Sequence, residues 1–190
     1  MKSIERKKVG WYAAHQRCCN QVALRQAEVI LLGDSLVANL CRYPDVWSRH
    51  FKSNVVNCGI GGDSTRNVLW RVERMYLPAT VSVGIIHCGI NDISGVSTAY
   101  GPTQIASNII MCGSTLQERH PWMSIIVVGI LPAEETFSGR NTQIAATNSC
   151  LKELCSRRGF QFIDNGSSNW RDGSGSLDQS LFWKDGLHLR

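Results

Sequence analysis

Two serines, one histidine and two carboxylates stand where acyl-transfer chemistry could be assembled. In the stretch VILLGDSL (29–36), four apolar residues run straight into Gly33, Asp34 and Ser35. The same Gly-Asp-Ser tripeptide returns in GGDST (61–65), so Ser35 and Ser64 compete for one role. In an open parallel sheet, ligands gather beyond the carboxyl ends of the strands, where the strand order reverses. The first strand normally flanks that point, and Ser35 lies just past its end. Ser64 follows a glycine-rich turn and opens a helical segment, where it reads as an N-cap. Ser35 is therefore the expected nucleophile, although a serine in that place could, taken alone, equally be a helix cap.

A serine needs a base. Of the five histidines, His188 follows Asp185 by three residues in DGLH. At that spacing a carboxylate can accept the Nδ1 proton, set the tautomer and stabilise the imidazolium that forms. His87 falls inside a strand-like run, and His15, His50 and His120 lack an acidic partner at this spacing and are expected at the surface. A developing oxyanion needs donors. The turn GIGGD offers backbone N–H groups that glycine leaves unobstructed, and Asn91, in GIND (89–92), follows the third strand on the same sheet edge as Ser35. Both have plainer readings, an ordinary tight turn for Gly61-Gly62 and an Asx-turn or cap for Asn91. The chain has neither a G-x-x-x-x-G-K-[ST] loop nor a G-x-G-x-x-G after its first strand.

The elements that must position these residues are legible as alternation. Near-continuous apolar runs, rich in β-branched residues, occupy 28–33, 54–60, 81–89, 124–131 and 160–164. Such runs fit strands covered on both faces of a parallel sheet. Helical segments lie between them: TRNVLWRVERMY (65–76) sets Val68, Leu69, Val72 and Met75 on one face, and the segments 103–120 and 141–159 read similarly, the second stopping at Gly159. The expectation is a three-layer α/β sandwich with right-handed crossovers. Residues 1–27 are expected as a leading basic helix and 28–190 as the catalytic core of a single domain. The stretch 164–180, rich in Gly, Ser and Asp, is long for a connection and reads as functional.

Composition narrows the class. The 190 residues are 43% hydrophobic and 18% charged, with a net charge of +5 and a pI near 8.9. The basic residues are scattered, which argues against a dedicated nucleic-acid binder. Their densest cluster, ERKKVGWYAAHQR (5–17), permits weak contact with an anionic membrane surface through Arg6, Lys7, Lys8 and Arg17, with Trp11 and Tyr12 at the interface. No apolar stretch is long enough to span a bilayer, and the first residues are charged with no apolar run after them, unlike a signal peptide. With no C-x-x-C and no zinc-like spacing, the eight cysteines read as reduced thiols of an intracellular protein, cytoplasmic by expectation.

Four blocks in order, GDSL (33–36), NCGIGGDSTRN (57–67), GIND (89–92) and DGLH (185–188), closely resemble those of the GDSL esterases, or SGNH hydrolases. The resemblance spans residues 28–188. It implies a flavodoxin-like sheet of order 2-1-3-4-5 and a serine esterase with Ser35 as nucleophile, His188 and Asp185 completing the triad, and Gly62, Asn91 and the Ser35 amide as oxyanion donors. It implies no metal or organic cofactor. GIGGDSTRNVLWRV is similar to the branch containing the catalytic subunits of platelet-activating-factor acetylhydrolase, which implies short, acetyl-type esters, some of them lipids. The same blocks resemble the esterase domain of LINE-type retrotransposon first-open-reading-frame proteins. That context carries the competing reading, a catalytically weak lipid- or nucleic-acid-binding module.

One departure stands out. The sequence stops two residues after His188, where family members usually continue into a final helix packed on the sheet. Either this is a short or excised form, or the leading helix takes over that packing, and His188 is then expected to be more mobile than usual.

Overall fold

The computed structural model of the chain describes residues 2–6, 8–93, 100–134, 139–165 and 167–190. The five apolar runs form strands β1 (Val29–Gly33), β2 (Val55–Gly59), β3 (Val83–His87), β4 (Ser124–Val128) and β5 (Gln161–Ile163). Every pairing is parallel, and the order is β2-β1-β3-β4-β5. Gly33 sits in register with both Gly59 and His87, so β2, β1 and β3 end on one line. The reversal of strand order falls at β1, whose carboxyl end delivers Ser35.

Among the described residues six α-helices surround the sheet: α1 (Trp11–Leu24), α2 (Ser35–Asn39), α3 (Pro44–His50), α4 (Thr65–Arg74), α5 (Pro102–Arg119) and α6 (Arg140–Arg158). Their ends follow local chemistry. Ser64 and Asn67 form a reciprocal capping box at the start of α4. Pro44 and Pro102 occupy first-turn positions, where a missing N–H costs nothing. Gly159 closes α6 in the left-handed conformation, at φ +70°.

The alternation along β1 divides the core. Ile30 and Leu32 join the large cluster that draws residues from α1, α4, α5 and α6, while Leu31 faces Val37 of α2 and packs toward Trp47 of α3 and Phe51 just beyond it. This is the three-layer α/β arrangement. Helices α2 and α3 are short and lie within a stretch that carries no long apolar stripe, so only the fold reveals them. Where β1 meets α2 the approach is close: a Cβ on Gly59 would lie 2.3 Å from the backbone nitrogen of Ala38. Glycine at the end of β2 thus lets the helix that begins with Ser35 seat against the sheet.

The leading segment differs from a single helix over 1–27. Among its described residues only Trp11–Leu24 are helical, and residues 2–4 lie along α4. There Ile4 donates its N–H to Arg66 O and Asn67 donates its side-chain amide to Ile4 O, so the backbone is satisfied without helical bonds. Trp11 is not an interfacial anchor. It is 3% exposed, packed on Trp70 with ring centroids 5.1 Å apart, and its indole donates to Asp63. Burial of its ring and a carboxylate partner for its N–H outweigh any surface role. His15, expected at the surface, is also buried, against Trp11 and Trp70. Burial and the charges of Arg71 and Arg74 lower its pKa to about 4, so it packs as a neutral ring. Lys7 lies outside the described residues. Among the described residues no helix is long and apolar enough to cross a membrane.

The deepest polar feature is Arg71 of α4, whose side chain is wholly buried. Its Nε lies 2.8 Å from Asp63 Oδ2, Nη1 donates to Cys58 O at 2.6 Å and Nη2 to Gly33 O at 3.0 Å. Removing one partner of such a pair strands the other charge in a water-free site and typically costs about 3 to 5 kcal/mol. Asp63→Ala is expected to lower stability by that amount, read as the midpoint of urea unfolding, whereas Ser64→Ala, which removes only the α4 cap, should cost about 1 kcal/mol.

Candidate active site

Ser35 is the first residue of α2, directly beyond β1. Asp34 caps that helix by accepting the Leu36 N–H at 2.9 Å, which turns the chain sharply out of the strand and presents the Ser35 hydroxyl at the sheet edge. The Ser35 hydroxyl and His188 Nε2 are 2.8 Å apart, and His188 Nδ1 and Asp185 Oδ2 are 2.7 Å apart. A carboxylate can only accept, so Nδ1 carries the proton and Nε2 is left to accept from the serine. Asp185 also accepts the Leu187 and His188 backbone N–H groups, each at 3.0 Å. Burial raises its pKa, but the hydrogen bonds from the His188 ring and these two N–H groups, with the charge of His188, outweigh it and bring the value to about 2.

The turn that carries this pair is tied down on three sides. Trp183 donates its N–H to His188 O at 2.7 Å, Glu134 donates to Gly186 O at 2.7 Å, and the Tyr43 hydroxyl donates to Leu189 O at 3.2 Å. Phe182, fully buried, anchors the segment and pairs with Leu189 in a short antiparallel bridge. An open cavity of about 1250 Å³ lies beside Ser35 and His188, bordered by Tyr43, Gly61, Trp183 and Lys184. A nucleophile, a base and an orienting carboxylate at these distances can perform acyl transfer.

Of the expected oxyanion donors, Ser35 lines this cavity, while Gly62 and Asn91 lie outside its wall. The glycine turn runs past Ser35 closely enough that a Cβ on Gly61 would sit 3.8 Å from the serine Cβ. Gly62 adopts φ +78°, and its N–H has no hydrogen-bond partner among the described residues. Asn91 is exposed and donates Nδ2 to Asp63 O at 3.0 Å, which uses one of its two amide hydrogens. Ser64 has no place here: its hydroxyl serves the α4 cap. Of the remaining histidines, His50 is exposed and His120 half-buried, while His87 sits in β3 with Nδ1 3.3 Å from Val128 O.

Reading the sequence for nucleophiles passes over the residues that build this turn. Asp63 receives Arg71 and the Trp11 indole, the latter at 2.6 Å, while its carbonyl holds Asn91. Asp92 accepts the Thr65 N–H and hydroxyl, each at 2.8 Å, and so pins the start of α4 to the end of β3. One signal was present: Arg71 stands at i+3 from Val68 in the middle of the apolar stripe of α4, where a cation needs a buried partner.

Asp34 generates a pH prediction. Burial raises its pKa to about 7; the Leu36 N–H opposes the shift, the neighbouring Asp63 and Asp92 add to it, and His188 opposes it. Below the ordinary carboxyl range, folded and unfolded chains are both protonated. Between that range and about 7 the folded chain keeps a proton that the unfolded chain has lost, so stability falls as pH rises through this window. Asp34→Asn should flatten the decline in unfolding midpoint between about pH 4 and pH 7. An unchanged slope would show that Asp34 does not carry it.

The family described as GDSL-like Lipase/Acylhydrolase matches residues 31–190. The human platelet-activating factor acetylhydrolase IB subunit alpha2 is 29% identical over 183 residues, covering 94% of this chain and 76% of that protein. The bovine subunit alpha1 is 32% identical over 126 residues, 64% of this chain and 51% of that protein. Among solved structures, a GDSL-like lipase from Bacteroides thetaiotaomicron superposes with a TM-score of 0.72 at 19% identity, covering 94% of this chain and 90% of that one, which is a likeness of fold. With the parallel sheet, the order 2-1-3-4-5 and the matched residues in hand, the chain belongs to the GDSL-like lipase/acylhydrolase family, hydrolases that act on esters.

Proposed function

We propose that this chain is a serine esterase for short-chain, acetyl-type esters, with Ser35 as nucleophile, His188 as general base and acid, and Asp185 as the orienting carboxylate. The observation that carries this reading is the pair of contacts at His188, 2.8 Å to the Ser35 hydroxyl and 2.7 Å to Asp185. As Ser35 Oγ bonds to the ester carbonyl carbon, its proton passes to His188 Nε2. The carbonyl oxygen becomes an oxyanion, received by the N–H groups of Ser35 and Gly62 and the free amide hydrogen of Asn91. Collapse breaks the bond to the alcohol, which leaves with the proton from Nε2. Water then gives its proton to the same nitrogen as it attacks the acyl-serine; the bond from Ser35 Oγ to the acyl carbon breaks, Oγ takes the proton back from Nε2, and the acid is released. The short acyl preference rests on the likeness to the acetylhydrolase subunits.

Hydrolysis of nitrophenyl esters of increasing acyl length tests both parts. Acetyl to about butyryl esters should turn over fastest, Ser35→Ala should abolish activity without unfolding the chain, and Ser64→Ala should retain most of it. A fluorophosphonate that labels Ser64, or the Ser35→Ala variant, would refute the choice of nucleophile. Faster turnover of dodecanoyl than acetyl esters below micellar concentrations would refute the acyl preference.

Asn91 separates an enzyme from a binding module. A ground-state carbonyl carries little charge, so an oxyanion donor acts chiefly in the transition state. Asn91→Ala should cut kcat by roughly a hundred- to a thousandfold with little change in KM. Because Nδ2 also holds Asp63 O, stability should fall by about 1 kcal/mol. Nearly normal kcat in a destabilised chain would reduce Asn91 to a turn residue.

A further inference from the structure

The segment before α1 carries one side chain to the glycine turn. Its backbone is laid along α4 by the Ile4 N–H to Arg66 O at 3.2 Å, the Asn67 amide to Ile4 O at 2.9 Å and Arg66 Nε to Lys2 O at 2.8 Å. Ser3 adds a hydroxyl bond to Glu73 at 2.6 Å. From this strap Arg6 reaches across. Its Nη1 donates to Gly61 O at 2.6 Å and lies 3.8 Å from Asp63 Oδ1. The guanidinium is so close over Gly62 that a Cβ there would lie 2.7 Å from both terminal nitrogens. It fills the space that a side chain at Gly62 would need.

The geometry of a peptide unit gives this contact a consequence. The Gly61 C=O and the Gly62 N–H belong to one planar trans unit and point in opposite directions. A bond that fixes the carbonyl therefore fixes the N–H. Two successive glycines would otherwise allow this peptide to turn over, because glycine accepts the positive φ that one orientation requires. Gly62 takes that φ, at +78°. We propose that Arg6, from the N-terminal strap, is a positioning residue of the active site: it clamps the Gly61 carbonyl so that the Gly62 N–H stays aimed at the oxyanion. A charged donor on the carbonyl also polarises the same peptide and makes its N–H a stronger donor. The inference rests on the reading of Ser35 as nucleophile and Gly62 as oxyanion donor.

The test uses the full chain, 4-nitrophenyl acetate as substrate and Arg6→Ala, Arg6→Lys and wild type side by side. Fluorophosphonate labelling of wild type at Ser35 is measured first, because its failure would remove the underlying reading, and this inference with it. With labelling intact, Arg6→Ala is expected to lose about ten- to a hundredfold in kcat with KM changed by less than about twofold. Added guanidinium ion should restore part of that kcat in Arg6→Ala and leave wild type unchanged. Arg6→Lys, which keeps one charged donor, should fall between the two. Wild-type kcat in Arg6→Ala overturns the proposal. So does a loss confined to KM, or a lost kcat that guanidinium does not restore in a chain of lowered thermal midpoint, the pattern of a purely structural tether. If Arg6→Ala does not fold, Arg6→Lys decides: a kcat below wild type at unchanged KM in a folded chain of wild-type thermal midpoint supports the charged clamp, and wild-type kcat or a loss confined to KM overturns it.

Discussion

The buried pair of Arg71 and Asp63 is the constraint on which the rest of the site depends. Arg71 has no water to fall back on, so each of its donors must find an acceptor inside the protein. It finds them at the carbonyls of Gly33 and Cys58 and at the Asp63 carboxylate. Those three acceptors lie at the end of β1, near the end of β2 and in the glycine turn. One side chain therefore holds together the two strand ends that flank Ser35 and the loop that passes beside it. The pair needs a dry surround, and α1 helps provide it by laying Trp11 over Asp63.

Asp63 extends that constraint outward in graded steps. Its carboxylate takes Arg71 and the Trp11 indole, its carbonyl takes the Asn91 amide, and Arg6 approaches it from the strap. The residues proposed to receive the oxyanion are thus positioned by a group that never touches substrate. Rigidity of this kind is what electrostatic stabilisation requires, since donors that must reorganise during the reaction lose much of their value. The concentration of Asp34, Asp63 and Asp92 in the same region has an energetic cost, visible in the raised pKa of all three, with burial as the first cause.

The proposed base arrives by a different route. His188 and Asp185 sit on a turn remote in sequence from Ser35, held by backbone bonds from Glu134 and Trp183 and by the buried ring of Phe182. Among its described residues, the long Gly-, Ser- and Asp-rich connection before it combines short 3-10 helices at Ser167–Trp170 and Gln179–Leu181 with local turns in which Asp172 and Asp178 each accept bonds from nearby Ser residues. Such local bonds satisfy the backbone without a helix or strand. They let the chain return across the sheet edge to the end of β1.

Much of this was decided by local sequence. The β-branched runs specified all five strands because a strand buried on both faces must be apolar throughout. The stripes of α4 and the Ser64 and Gly159 signals specified helix faces and ends to within a residue or two. The spacing of Asp185 and His188 specified their contact, since three residues close one tight turn. Tertiary structure decided what depends on distant partners. It placed Trp11 and His15 inside, because only the folded chain brings Trp70 and Asp63 against them. It made a buried clamp of Arg71 and seated the half-buried Arg6 on Gly61, because the carbonyls they bind belong to strand ends and a turn that local sequence cannot bring together. A stripe or a turn is a property of a few consecutive residues, whereas the partner of a buried charge is a property of the whole fold.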